Sequence, residues 1–274
     1  MPLEALRLDA VRGFVLDADG TLVHRAGKQV HVQPGASQVL ERIHESGRPF
    51  AIFTNGSHAP PAAFAGELRA AGLDVADEEV LTPLLSVQAH LHAHHPGGSV
   101  LPFVTESARA FLVEAGVRLV DDEDPQHAEV VFVAHSDVVS FPELERAARA
   151  LLAGGELLTG SYAPAYAGAN GPILSRGAML TAALAKASSV EPVIVGKPSE
   201  AALDTVRERL GVPTEDLAVI GDDATMDVAL GRMGGARTIL VRSGISGAGR
   251  LDDLDEANRP DAVVDGVAEL LDWL

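Results

Sequence analysis

The sequence predicts an α/β protein: a parallel-sheet core with a second, smaller α/β unit inserted into it. Three observations carry this. Short apolar runs alternate with helix-like segments along the 274 residues, the pattern of βαβ units. Four of those runs end directly in a polar cluster, and in a parallel sheet such strand ends converge on one edge, where ligands bind. The middle of the chain continues the strand–helix alternation but has no comparable group of acids after its strands.

The first strand is Val11–Leu16, ending at Asp17-Ala-Asp-Gly-Thr21. Pro34 opens a helical run to about Ser46, which Gly47 stops. Pro49–Phe53 is a second buried strand, ending at Thr54-Asn-Gly-Ser57, and residues 60–71 read as a helix ending at Gly72. Strand Pro192–Val195 leads into Gly196-Lys197-Pro198-Ser199 and a helix over 200–210. Leu217–Ile220 runs into Gly221-Asp222-Asp223, with a helix over 224–233, strand Thr238–Val241, a short strand Ala262–Val264 and a closing helix over 266–273. These elements form the core, residues 1–92 and 179–274. Residues 93–178 form the inserted unit, with strands at Val100–Val104, Val130–Val133 and Leu157–Leu158 and helices over 107–115 and 142–152. The acid-rich stretches Asp121–Asp124 and Leu251–Glu256 read as solvated loops.

Composition narrows the function. With 47% apolar and 22% charged residues the chain is globular, and no apolar stretch approaches the length of a membrane span. Cysteine is absent, which removes disulfides, thiolate metal sites and a Cys nucleophile and leaves cytoplasm as the default compartment. The net charge of −18 disfavours nucleic acid and anionic membrane, since affinity for phosphate backbones comes mostly from Lys and Arg. Lysine is scarce, with only Lys28, Lys186 and Lys197.

Two carboxylates, Asp17 and Asp19, stand at i and i+2 on a strand-to-loop turn, and Asp222 and Asp223 add charge at the same sheet edge. Clustered carboxylates repel unless a cation binds or protons are taken up. An all-oxygen set without Cys or His suits Mg²⁺. A magnesium ion with a carboxylate, the Thr54 hydroxyl and the Lys197 ammonium makes a phosphoryl-transfer site. Thr54 and Asn55 can donate to phosphate oxygens, and Gly20 and Gly56 let backbone N–H groups approach.

The ordered set D-A-D-G-T (17–21), T-N-G-S (54–57), G-K-P (196–198) and G-D-D-x-x-x-D (221–227) resembles the haloacid dehalogenase (HAD) superfamily across nearly the whole chain. Thirty-five residues separate Asp19 from Thr54 and 143 separate Thr54 from Lys197. After roughly 50–60 residues for core elements, the longer interval leaves a cap of about 80–95. That placement resembles subclass IIA, with its α/β type II cap, which includes 4-nitrophenylphosphatases, phosphoglycolate and pyridoxal phosphatases and the nucleotidase NagD.

The resemblance implies a Mg²⁺-dependent phosphatase of a small phosphorylated metabolite. Asp17 would be the nucleophile and Asp19 the general acid and base, its main-chain carbonyl also reaching the metal. Asp17 and Asp222 would be the direct side-chain ligands of the metal. Asp223 and Asp227 would act behind the ligands or through water. Thr54, Asn55, Gly20, Gly56 and Lys197 would hold the phosphate. It also allows a cap-mediated homodimer. The second Asp favours phosphate esters over halide displacement, which needs no leaving-group acid. Asp227 stays open between this role and an ordinary acid in the first turn of a helix.

The chain departs from the subclass pattern at Met226, at Gly160–Pro164 and at Arg176–Met179. These departures bear on the substrate, and Arg176, Tyr162 and His135 are the cap residues placed to meet it. Phosphotransfer or mutase activity, phospho-signalling and a binding role on the same scaffold are the alternatives. Two further motifs are not expected to carry function. His90, His92, His94 and His95 read as a solvated helix end. Gly244–Gly249 has the order G-x-x-G-x-G and is followed by acids, which does not suit a dinucleotide.

Overall fold

The computed structural model describes residues 6–27, 29–120, 128–246 and 254–274. The chain begins with β1 (Gly13–Leu16), a hairpin of β2 (Val23–Ala26) and β3 (Gln29–Val32), α1 (Ala36–Glu45), β4 (Phe50–Phe53), α2 (Pro61–Ala71), β5 (Val80–Leu81) and α3 (Pro83–His94). The middle contributes β6 (Ser99–Phe103), α4 (Glu106–Glu114), β7 (Arg118–Leu119), β8 (Val130–Val133), α5 (Phe141–Leu152) and β9 (Glu156–Thr159). A short hairpin of β10 (Ala165–Tyr166) and β11 (Ile173–Leu174), then α6 (Arg176–Ser188) and β12 (Val193–Ile194), follow. The chain closes with α7 (Glu200–Leu210), β13 (Leu217–Gly221), α8 (Ala229–Met233), β14 (Arg237–Val241) and β15 (Ala262–Val264).

Six strands form the first sheet in the order β15-β14-β13-β1-β4-β5, every neighbouring pair parallel. Its central strands β1, β4 and β13 are buried at every residue, which accounts for their unbroken apolar runs. Phe14, Phe53 and Phe64 are wholly buried in this core, each contributing about 1.5–3 kcal/mol by leaving water. Parallel pairing puts Asp17, Thr54 and Asp222 together at the carboxyl edge of the sheet, as the sequence pattern predicts.

The second sheet, β12-β9-β8-β6-β7, is also parallel. One strand pairs differently from its sequence assignment. Strand β12, assigned from sequence to the core, pairs with β9, and its Val193 is exposed, the profile of an edge strand. Helix α3 packs its buried Leu84, Val87 and Leu91 against Val100, Val130, Phe132 and Leu158 of this sheet. The strands of the second sheet thus run from Ser99 to Ile194, since an apolar run by itself does not say which sheet buries it. Lys197 consequently leaves a strand of the second sheet while the carboxylates leave strands of the first.

Local signals set the helix starts. Ser140 and Glu143 cap α5 reciprocally, and the Ser199 hydroxyl accepts from the Ala202 amide at α7. The helix expected over 224–233 begins as a π-turn over Ala224–Val228, capped by Asp223, before α8. The acid-rich run Asp121–Asp124 and residues 247–253 lie outside the described residues. No helix among the described residues is long and apolar enough to cross a membrane.

Candidate active site

A cavity of about 870 Å³ opens between the carboxyl edges of the two sheets, a volume suited to a small ligand. At its floor Lys197 is almost fully buried. Its Nζ lies 2.7 Å from Asp17 Oδ1 and 2.6 Å from Asp227 Oδ1. Burial works against the ammonium charge, but Asp17 and Asp227 outweigh it and hold the Lys197 pKa above its ordinary value. Asp222 completes the floor, its Oδ2 accepting from the Ile245 amide at 2.6 Å.

Carboxylate oxygens of Asp17, Asp222 and Asp227 all lie within 4.8 Å of one another. Burial raises the pKa of Asp17, and burial with Asp17 and Asp227 beside it pushes Asp222 well up. Burial likewise moves Asp227 to about 7, although Lys197 opposes this. Three carboxylates facing one ammonium leave a deficit of two positive charges, which a divalent cation would balance. The backbone is shaped to fit: a Cβ at Gly20, whose φ is +97°, or at Gly244 would overlap the Asp222 carboxylate. The all-oxygen donor set and this clearance fit a hard divalent ion.

Asp19 stands apart from that cluster. Its Oδ1 accepts from Arg25 Nε at 2.8 Å, and burial raises its pKa despite the guanidinium. Arg25 rises from β2, lies over the Phe64 ring at 4.8 Å and donates through Nη1 to Glu67 Oε2 at 2.7 Å. Glu67 in turn meets His58 Nε2 at 3.2 Å. The His58 hydrogen bond, then Arg25, draw the Glu67 pKa down to about 2. Arg25, Glu67 and His58 line the cavity but carry no sequence signal, because only the β2–β3 hairpin turns Arg25 toward Asp19.

The remaining sequence candidates are placed unequally. Thr54 is buried on the cavity wall, its Oγ1 accepting from the Gly56 amide at 2.9 Å. Asn55 clasps the Lys197 main chain: Oδ1 accepts from Lys197 N, and Nδ2 donates to Lys197 O, both at 2.8 Å. Its side chain thus positions Lys197 rather than standing free for phosphate. The Gly20 and Gly56 amides are likewise engaged, with Val23 O and Thr54 Oγ1. Asp223 turns its carboxylate away from the cluster to cap Thr225, at 2.8 Å from both its amide and its hydroxyl. Asp227, not Asp223, joins the buried acids.

On the opposite wall, Arg176 Nη1 and His135 Nε2 meet Asp137 Oδ1 at 3.1 and 3.5 Å. Burial holds the His135 pKa below its ordinary value. Tyr162 is not among the cavity-lining residues. The lining tyrosine is Tyr166 on the β10–β11 hairpin, where burial raises its phenol pKa. Sequence reasoning chose the tyrosine next to a strand end and missed the one that the following hairpin folds back.

Comparison with known proteins agrees with this arrangement. Residues 14–118 match the family described as haloacid dehalogenase-like hydrolase, and residues 194–270 match a second, HAD-hydrolase-like description. A dihydroxyacetone phosphatase of Corynebacterium glutamicum is 26% identical over 94% of this chain and 90% of its own length. An acid sugar phosphatase of Staphylococcus aureus is 26% identical over 91% of this chain and 92% of its own. The p-nitrophenyl phosphatase structure from Archaeoglobus fulgidus superposes with a TM-score of 0.84 at 27% identity, covering 96% of this chain and 99% of that one. With its acidic cluster at the edge of a parallel sheet and two matches that between them take in both parts of the first sheet, the chain belongs to the haloacid dehalogenase-like hydrolases.

Proposed function

We propose that the protein is a Mg²⁺-dependent phosphatase of small phosphomonoesters that passes the phosphoryl group through Asp17. The observation that carries this is the buried Asp17–Lys197–Asp227 arrangement beside Asp222, on the floor of a cavity with Asp19 on its wall. The activities named for the three relatives, on dihydroxyacetone, sugar and nitrophenyl phosphates, support the same class.

In this reading an Asp17 oxygen attacks phosphorus, the ester P–O bond breaks, and Asp19 gives its proton to the leaving oxygen. Water then attacks the phosphoryl group on Asp17 as Asp19 takes back a proton, and phosphate and free Asp17 result. Burial favours the protonated form that Asp19 needs for its first role. Lys197 and the Thr54 hydroxyl hold phosphate oxygens, and Asn55 keeps Lys197 in place through its main chain. Asp17 and Asp222, with the Asp19 carbonyl, would hold Mg²⁺, and Asp227 backs them through Lys197. A bound divalent ion supplies charge neutralisation for the phosphate oxygens. The leaving group faces Tyr166, His135 and Arg176.

The assignment of Asp19 has a direct test. Asp19→Asn is expected to lower kcat on an alkyl phosphate by about 10²–10⁴-fold. Turnover of 4-nitrophenyl phosphate, whose leaving oxygen needs little protonation, should fall less. Undiminished alkyl phosphate turnover in Asp19→Asn would remove Asp19 from this role.

The cation has a pH signature. Burial pushes the Asp227 pKa in the fold up to about 7, well above the ordinary carboxylate value. The folded state therefore binds this proton more tightly than the unfolded chain. Its stabilising contribution is complete below about pH 4 and is lost as pH rises toward 7. Without metal, stability should fall over that window, and the rise in Tm on adding Mg²⁺ should be larger at pH 8 than at pH 5. Thermal melts in EDTA and in Mg²⁺ at the two pH values check this. An equal Mg²⁺ effect at both would contradict it.

A further inference from the structure

Away from the cavity, at the amino end of the second sheet, three side chains converge. His95 Nε2 lies 2.7 Å and His90 Nε2 3.4 Å from the same oxygen, Glu156 Oε2. The donor atoms of all three residues fall within 4.8 Å of one another. His90 is in the last turns of α3, and His95 follows its end. On a continuing helix, residues five apart would point about 140° from each other. The chain instead turns after His95, with the Gly98 amide donating to the His95 carbonyl at 2.9 Å, and His95 swings to the same side as His90. Glu156 opens β9 and presents its carboxylate to both. A sequence reading of the histidines as a solvated helix end does not anticipate this, because the third member lies some sixty residues away.

We propose that His90, His95 and Glu156 form a binding site for a zinc-type divalent transition-metal ion, separate from the all-oxygen cluster in the cavity. Two imidazoles and one carboxylate are a donor set that Zn²⁺ takes readily, with water in a fourth position, and that Mg²⁺ does not favour. Tetrahedral bonds of about 2.0–2.1 Å place donors roughly 3.3–3.4 Å apart, and the contacts at 2.7 and 3.4 Å lie near that value. The third pair, His90 and His95, also has its donor atoms within 4.8 Å of each other. The side chains of His90, His95 and Glu156 are 12%, 21% and 30% exposed, sheltered but open to an entering ion. Burial holds the His90 pKa below its ordinary value, which favours the neutral imidazole that ligates.

Position gives the ion a structural consequence. Helix α3 starts at Pro83, whose ring occupies the space a Cβ on Gly160 or Gly196 would meet beside the cavity, and it ends at the histidines. Strand β9 starts at Glu156 and ends just before Gly160 and the cavity residue Ser161. An ion at this site would tie together the far ends of the two elements whose near ends flank the cavity. The proposal does not rest on the reading of the cavity as a phosphatase site.

The test is calorimetric titration of the full chain with Zn²⁺ in excess Mg²⁺. The wild type should take up one Zn²⁺ that Mg²⁺ does not displace. His95→Gln and Glu156→Gln should each weaken it at least about tenfold, while Asp222→Asn leaves it unchanged. Co²⁺ added to the wild-type protein should give the absorption of a four-coordinate site with imidazole ligands, a readout that needs no variant to fold. No Zn²⁺ uptake, uptake that Mg²⁺ abolishes, unchanged affinity in the His95 and Glu156 variants, or loss in Asp222→Asn would each overturn the proposal.

Discussion

Asp17→Asn is expected to lower kcat for every phosphate ester by about 10⁴-fold or more, the scale of removing a covalent nucleophile. Asparagine is nearly isosteric and can still accept from Lys197 Nζ, which at present lies 2.7 Å from Asp17 Oδ1. It cannot form the acyl phosphate. Because burial already disfavours the Asp17 charge, the fold should lose no more than about 1 kcal/mol. Steady-state kinetics beside urea unfolding separates the two effects. Near-wild-type kcat in a folded Asp17→Asn protein would refute the nucleophile, and a collapse of stability would mean that the lost activity reports unfolding.

Lys197→Met should produce the largest loss of stability. Methionine fills much of the volume but leaves Asp17 and Asp227 buried without their shared cation. Breaking a buried ion pair from one side costs about 3–5 kcal/mol. The cost should be greatest at pH 8, where the carboxylates are driven toward ionisation, and smaller at pH 5, where they take up protons. Turnover should fall as well, since Lys197 is the side chain proposed to hold phosphate oxygens beside Asp17. Urea midpoints at the two pH values check this, and a deficit independent of pH would mean that packing, not charge, is what Lys197 contributes.

Much of this site was legible because strand ends announce themselves. Asp17, Thr54 and Asp222 each follow a buried apolar run, and parallel pairing of those runs dictates that they meet. Lys197 was legible by the same signal, although its strand belongs to the other sheet. Strand β12 shows the limit: a two-residue run with one exposed side is compatible with either sheet, and the choice is made by long-range pairing with β9. Arg25 and Glu67 were invisible for a related reason. The contact of Arg25 with Asp19, and of Glu67 with Arg25, exists only once a hairpin and α2 have packed, and neither residue type is unusual in its local sequence. Asn55 was found by its motif, but its clasp on the Lys197 main chain depends on two segments 142 residues apart. The Tyr162 expectation missed Tyr166, and the histidine reading missed Glu156, because each omitted partner is brought in by a turn that periodicity does not encode.

The central claim is metal-dependent transfer of phosphate from a small ester by this acidic cluster. It is tested most directly by following phosphate release from 4-nitrophenyl phosphate with Mg²⁺ and with EDTA. The account predicts turnover that requires Mg²⁺, stops in EDTA and returns when the ion is restored. Folded, Mg²⁺-loaded protein that releases no phosphate, or releases it equally in EDTA, would contradict it.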